Sequence, residues 1–297
     1  MNTTTLRYFL EVARVGSVRS AAGRLNITAS AVSRHMTNLE RGVGSPLFER
    51  RASGMVLTAE GEAFWGHANR IMRDIELAQS DIDEIKGVRR GIVKVSAVEG
   101  AIGSCVFGAI EKFRMKHPGV TFDVRAVGTN DVINDLKLDV CDIGIAFEPP
   151  HDGEIHHVIA VNKPIVAVMS PDHPMANYKR FSVRHLQKAT VGILDGSFGT
   201  RRLVDKAARA AGVELRYALV INSIAMAKVF ARDHQGVTIL PEFAVKRECD
   251  RGELVAIPLT DPALRQARVT LSVHRGRLTS RAAQAFCQEL EARVNSL

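Results

Sequence analysis

Arg34, with Ser30 and Ser33 beside it, offers chemistry more plainly than any other residue of the chain. A guanidinium near the start of a short helix can take guanine O6 and N7 together, or hold a phosphate. Thr28 and Ser30 stand where backbone N–H groups and hydroxyls suit a phosphate or a base edge, and Thr28 alone can equally serve as a helix cap. Ser17 and Arg19 repeat the pattern one helix earlier. Arg50 and Arg51 follow on a turn, where they would reach backbone phosphate or a minor groove, or sit on a solvated hairpin. Residues 1–57 hold eight arginines, no lysine and three acids, a net charge of +5. Residues 58–86 hold three basic residues against seven acids, a net charge of −4. A basic module followed by an acidic one suits a polyanion met by the first alone.

Those side chains need elements to aim them. Leu6, Phe9, Leu10 and Ala13 stripe a first helix that Gly16 ends. Ser17 caps a second, whose inward face is Val18, Ala21, Ala22 and Leu25. Asn26-Ile27 turns the chain, and Thr28 caps a third helix facing inward with Ala31, Val32, Met36 and Leu39. His35 reads as exposed on that helix. A break at Gly42 and Gly44 follows. A hairpin then runs from Leu47 to Leu57, turning at Ala52-Ser53-Gly54. Two capped helices this close form a helix-turn-helix whose second member fits the DNA major groove. With its hairpin, residues 1–57 read as an all-α winged helix-turn-helix DNA-binding domain, which points to gene regulation rather than catalysis.

Thr58 caps a long helix, and 58–90 reads as a dimerising linker helix and hinge. Its apolar residues Phe64, Ala68, Ile71, Ile75, Ala78, Ile82 and Ile85 alternate spacings of four and three, a heptad seam. The helix would be on the order of 40 Å long at ~1.5 Å per residue. Such a seam pairs with the same helix of a second subunit, as a coiled coil, or packs on its own chain. Two paired heads would read two half-sites.

Beyond Lys86–Gly91 the pattern changes to alternating strands and helices. Val93–Val98, Val120–Val127 and Ile143–Phe147 read as strands. Val106, Ile110 and Phe113 stripe one helix, and Val132, Ile133 and Leu136 another. This order implies parallel strands with helices on both faces. A second such unit begins near Val161, with strands at Ile165–Met169, Val191–Leu194, Leu215–Ile221 and Val237–Leu240. Its helices run Thr200–Ala211 and Ser223–Arg232. A strand at Val269–Val273 and a helix at Ser280–Val294 close the chain. His151, His156 and His157 follow Pro149-Pro150 as a surface loop, without the partners of a zinc site. Cys105, Cys141, Cys249 and Cys287 are too far apart for a C-x-x-C motif, and read as small buried hydrophobes or a redox pair. Net charge is +8 and the pI about 9.6. No run reaches the ~18 apolar residues of a membrane span, and no secretory signal opens the chain, so a cytoplasmic protein is expected. No metal or other cofactor is expected, and nothing in 91–297 supplies a nucleophile–base pair. An enzyme with an appended head, and a nucleoid-type or constitutive DNA binder with a non-functional pocket, are the other classes.

Together these residues resemble the LysR-type transcriptional regulators. The match rests on Leu6-Arg7-Tyr8-Phe9, Ala21-Ala22-x-x-Leu25, Ser33-Arg34, Leu39-Glu40, Pro46-Leu47-Phe48-x-Arg50 and Leu57-Thr58-x-x-Gly61. The resemblance implies that 91–297 is an α/β, periplasmic-binding-protein-like effector domain of two subdomains, I at about 91–161 and 268–297, II at about 162–267. The chain would cross near Val161–Lys163 and Leu264–Arg268. It implies a homo-oligomer, dimer or tetramer, whose heads read an interrupted dyad in double-stranded DNA. A small organic effector in the cleft would modulate DNA bending, with RNA polymerase as a further partner and no membrane. Ala29 stands where the family often has glutamine, Ser53 where the wing often has arginine, and Gly100 where many relatives place Ser or Thr. Gly100 thereby lacks a hydroxyl for an effector carboxylate.

Loops at the carboxyl ends of parallel strands are the default ligand site. Here they supply Glu99, Gly100 and Ile102, then Thr129 after Gly128, then Ser197, Phe198, Gly199 and Thr200 after Asp195. Asn222 and Ser223 end a further strand. Thr129 and Thr200 open helices, whose N–H groups would meet a carboxylate or simply be capped.

Overall fold

The computed structural model describes residues 2–51, 54–85, 91–233, 236–277 and 279–297. They form two compact units, 1–88 with 138–140, and 89–137 with 141–297.

In the first unit each helix begins and ends on the residue its local chemistry favours. Helix α1 (Thr3–Val15) is capped by Asn2 and ended by Gly16 at φ +66°. Helix α2 (Val18–Leu25) starts on Ser17, whose hydroxyl accepts from Ser20 N, and ends on left-handed Asn26. Helix α3 (Ala29–Val43) starts on Thr28 and ends on left-handed Gly44. It runs two residues past Arg41, because Gly42 stays helical and only Gly44 takes the left-handed form. Strands β1 (Phe48–Arg51) and β2 (Gly54–Leu57) pair antiparallel, Phe48 opposite Leu57. The expected turn at Ala52-Ser53 lies outside the described residues. The Glu40 carboxylate accepts from Leu47 N and Phe48 N at 2.8 and 3.1 Å, fixing the entry to β1. Leu6, Phe9, Val12, Ala21, Ala22, Val32, Met36, Leu39, Leu47 and Phe48 form the core.

Thr58 accepts from Gly61 N at 2.9 Å and starts helix α4 (Ala59–Ile85, 27 residues). Its seam divides. Ala68 is fully buried and Phe64 packs with it in the head's own core, the Phe64 ring edge-on to Phe9 at 5.0 Å. Ile71, Ile75 and Ile82 are exposed, at 40%, 42% and 46%, as is Ala78. The heptad therefore serves two surfaces, and its first two members belong to the head. The Ile85 side chain lies outside the described residues.

The second unit holds two five-stranded sheets. Strand β3 (Gly91–Ala97) is followed by one helical segment, α5 (Glu99–Ala101), a π turn over Ile102–Val106, and α6 (Phe107–Lys116). Glu99–Ile102 is thus helix, not a free loop. Then come β4 (Val120–Ala126), α7 (Thr129–Lys137), β5 (Ile143–Phe147) and β6 (Ile155–Asn162). The chain passes into the second sheet with β7 (Ile165–Met169), β8 (Val191–Leu194), α8 (Gly199–Ala210), β9 (Leu219–Ile221), α9 (Ile224–Asp233), β10 (Val237–Pro241), α10 (Lys246–Asp250), β11 (Val255–Pro258) and α11 (Pro262–Arg265). It returns with β12 (Arg268–His274) and α12 (Arg281–Asn295), which Ser280 caps.

The sheet orders are β4-β3-β5-β12-β6 and β11-β7-β10-β8-β9. Strands β3, β4 and β5 are parallel, as are β8, β9 and β10. Contrary to the all-parallel expectation, β12 is antiparallel to β5 and β6, and β7 to β10 and β11. The chain crosses between sheets at 163–164 and again just before Arg268, with Lys163 N donating to Ala267 O at 2.7 Å. A returning strand enters from the opposite end and so runs backwards.

Strands β6 and β11 have no counterpart in the sequence pattern. Both lie at sheet edges; β6 carries His156, His157 and Asn162, which an edge tolerates, and β11 is a four-residue apolar strand too short to show a period. His156 and His157 accordingly lie on β6 rather than in a surface loop. The expected strand at Leu215–Ile221 shrinks to its last three residues.

Candidate functional site: nucleic-acid interface and effector cleft

Amphipathic α3 buries Val32, Met36 and Leu39, which leaves Ala29, Ser30, Ser33 and Arg34 exposed on the other side. Thr28 Oγ1 accepts from Ala31 N at 3.3 Å and lies 3.1 Å from Ser30 Oγ. Thr28 is thus a cap and still exposed. His35 is not simply exposed: its Nδ1 lies 2.9 Å from Thr5 Oγ1, and its ring meets Tyr8 edge-on at 4.9 Å. That pair docks α3 on α1.

The head's arginines sort by whether an acid already holds them. Arg14 and Arg24 share Glu11, at 2.7 and 3.6 Å. Arg19, Arg34 and Arg50 are exposed and form no ion pair among the described residues. Arg51 is paired with Glu49 on the same strand, so it must exchange that acid for any phosphate. Arg7 of α1 and Arg41 of α3 are likewise exposed without an ion pair among the described residues, so each of α1, α2, α3 and β1 carries charge open to a polyanion.

In the second unit the expected effector residues separate. Thr129 is fully buried, its hydroxyl donating to Phe147 O at 3.0 Å and its N–H to Ser197 O at 3.1 Å. Ser197 donates to Asp195 at 2.6 Å. Phe198 is a core residue with Val166, Leu194 and Ile221. Thr200 is buried. Gly199 lies so near β5 that a Cβ there would come within 2.0 Å of Phe147 O. Asn222 is exposed. Arg202 spans from α8 to Asn130 Oδ1 at 3.2 Å and Glu148 O at 3.0 Å, and burial lowers its pKa. The 128–130 and 195–200 segments therefore touch one another. Alternating patterns could show that each ends a strand, but not that they meet.

Glu99 and Gly100 have a different setting. They line a cavity of about 490 Å³ with Ser104, Lys228, Phe243 and Arg247. Half-buried Ile102 is not on its wall. Lys228 is held by Glu248 at 2.6 Å and Ala244 O at 3.3 Å. The Glu99 carboxylate accepts from Ile224 N at 2.6 Å, Ala225 N at 2.9 Å and Ser223 Oγ at 3.2 Å. Sequence reasoning missed Ser223's role here, and the signal was only its place before an apolar helical run.

Burial pushes the Cys105 and Cys141 thiols up to about 12, where they stay protonated and unreactive. His157 is lowered by burial first and Arg268 second, and lies 2.8 Å from Ser272 Oγ. Among the described residues, no three metal-binding side chains cluster, and no helix is long and apolar enough to cross a membrane.

Residues 3–62 match the family described as bacterial regulatory helix-turn-helix protein, lysR family, and residues 86–295 match the LysR substrate binding domain. The RuBisCO operon transcriptional regulator of Allochromatium vinosum is 26% identical over 282 residues, 95% of this chain and 92% of that protein. Among solved structures, full-length OxyR from Pseudomonas aeruginosa superposes with a TM-score of 0.70 at 20% identity, covering 98% of this chain and 95% of that one. Full-length CbnR complexed with its target DNA gives 0.67 at 18% identity, covering 99% and 100%.

Proposed function

The chain belongs to the LysR family of bacterial transcriptional regulators, and on that premise we propose how its parts divide the work. It is a ligand-responsive, DNA-binding transcription regulator. The head, residues 1–57, reads DNA through Ser30, Ser33 and Arg34 of α3, with Thr28, Ser17 and Arg19 near phosphate and Arg50 and Arg51 on the wing. Residues 58–90 join two such heads through Ile71, Ile75, Ala78 and Ile82, so that the pair reads an interrupted dyad. Residues 91–297 sense a small organic effector between subdomains, and their rearrangement alters DNA bending. RNA polymerase is a further partner, the protein acts in the cytoplasm, and it carries out no catalysis.

One observation carries the reading: exposed α3 presents Arg34 beside two serines with no ion pair among the described residues, while Arg14 and Arg24 share the single carboxylate of Glu11. A population shift supports the ligand response only where the effector binds one arrangement more tightly. The test is genomic mapping of bound sites, followed by footprinting of the purified protein. Two protected half-sites on one face of the duplex are expected. Uniform coverage, or none, would refute it.

A further inference from the structure

The first four N–H groups of a helix have no partner within it. At α9 one of them, Met226 N, is met by Ser223 Oγ at 3.4 Å. Ile224 N and Ala225 N are met from elsewhere, by the Glu99 carboxylate that follows β3 in the other sheet. Glu99 lies 125 and 126 residues away along the chain. The residue after Glu99 is what lets it arrive. A Cβ on Gly100 would stand 3.0 Å from Ala244 Cβ, 3.2 Å from Ile224 Cδ1 and 3.3 Å from Phe243 Cε2. A larger side chain would hold α5 off α9. The turn behind them is reinforced, since Ser104 Oγ donates to Gly100 O at 2.5 Å and a π turn spans Ile102–Val106.

We infer that Glu99 and Gly100 form a built-in latch, an intramolecular carboxylate on α9 and a gap that admits it, which holds the two sheets' subdomains closed before any effector arrives. Gly100 then does more than omit a hydroxyl: it makes room for the closed contact. The far side of the cleft is joined separately, through Thr129 N to Ser197 O and Arg202 to Glu148 O. Release of the latch loosens that side too, because both sides join the same pair of sheets. Effector action is the displacement of Glu99 from α9. The regulatory half of this inference rests on the cleft being the effector site, whereas the latch itself does not.

Hydrogen exchange on the full-length chain, without ligand or DNA, separates a latch from a simple helix cap. In Glu99→Ala, the amides of Ile224 and Ala225 should exchange about tenfold faster, the loss of a charge-assisted hydrogen bond. The deciding reporter is the Thr129 amide, which bonds across the far side. It should accelerate as well, and Glu99→Gln should fall between. Gly100→Val, which wedges the same contact without touching the carboxylate, should accelerate Thr129 equally. Acceleration confined to Ile224 and Ala225 would overturn the latch, as would no change at either place. Once a bound site is mapped, Glu99→Ala should change the bend of that DNA with no effector present. An unchanged bend in a variant with faster Thr129 exchange would overturn the regulatory half. A wild type that binds no DNA would instead defeat the reading of the head while leaving the exchange result standing.

Discussion

Replacing Glu49 by glutamine should make the head hold duplex DNA more tightly. Glu49 and Arg51 pair on β1 with side chains 43% and 59% exposed. An exposed pair of this kind contributes about 0–1 kcal/mol. That is what Arg51 gives up when it turns to a phosphate, and Glu49 is then left beside the polyanion as a like charge. Removing the acid relieves both, and the pair alone accounts for up to about 1 kcal/mol per head, roughly fivefold in affinity, with relief of the repulsion adding in the same direction. Arg51→Ala should do the opposite. Each phosphate contact contributes about 0.9 to the slope of log affinity against log salt, so losing one means a factor of about 3.5 less change over a fourfold rise in salt. Fluorescence anisotropy with a random-sequence duplex reads both numbers and needs no knowledge of the operator. The double variant should keep the flattened slope of Arg51→Ala and bind slightly more tightly than it, since the acid then has no arginine to withhold but its repulsion of phosphate is gone. Thermal stability should move by no more than the pair's own contribution, about 0–1 kcal/mol, because neither group is buried. If Glu49→Gln leaves affinity unchanged and Arg51→Ala leaves the slope unchanged, the wing does not reach phosphate.

Arg34→Ala should cost about 1–3 kcal/mol of discrimination between a mapped site and random duplex if the guanidinium reads a base; competition binding checks it, and an unaltered ratio with a flatter salt slope would reassign Arg34 to phosphate. Ile75→Glu should weaken self-association in sedimentation while leaving the head folded, because Ile75 is exposed. Ala68→Glu should instead unfold the head, because Ala68 has no exposed surface and would bury an unpaired charge; circular dichroism separates the two. Cys105 and Cys141 keep their protons up to about 12, against 9.0 for a free thiol. Between those values the folded chain binds more protons than the unfolded one, so stability should fall as pH rises from about 9. Melting temperature measured from pH 8 to 11 should show this limb, and Cys105→Ala or Cys141→Ala should flatten it.

Local chemistry made most of the head legible. Ser17 and Thr28 accept backbone hydrogen bonds within three residues, and Gly16 and Gly44 take the left-handed conformation that ends a helix. Those signals act over one turn and need no distant partner. The apolar runs Ile143–Phe147 and Ile165–Met169 announced fully buried strands for a similar reason, since both of their faces are covered. Edge strand β6 has no clean alternating pattern because it mixes His156, His157 and Asn162 with apolar residues, and β11 is only four residues long and ends on a proline, too short to show a period.

What the chain's residues determine unaided is therefore which segments are helix or strand, where they stop, and which side of each is apolar. Periodicity names a face but not the surface that covers it. Only the folded molecule decided that Phe64 and Ala68 go to the head while Ile71, Ile75 and Ile82 stay open. It alone buried Thr129, Phe198 and Thr200, set β12 against β5, and carried Glu99 to amides 125 residues away. Each of those outcomes depends on chain closure over long separations, where many pairings satisfy the same local pattern and packing selects one.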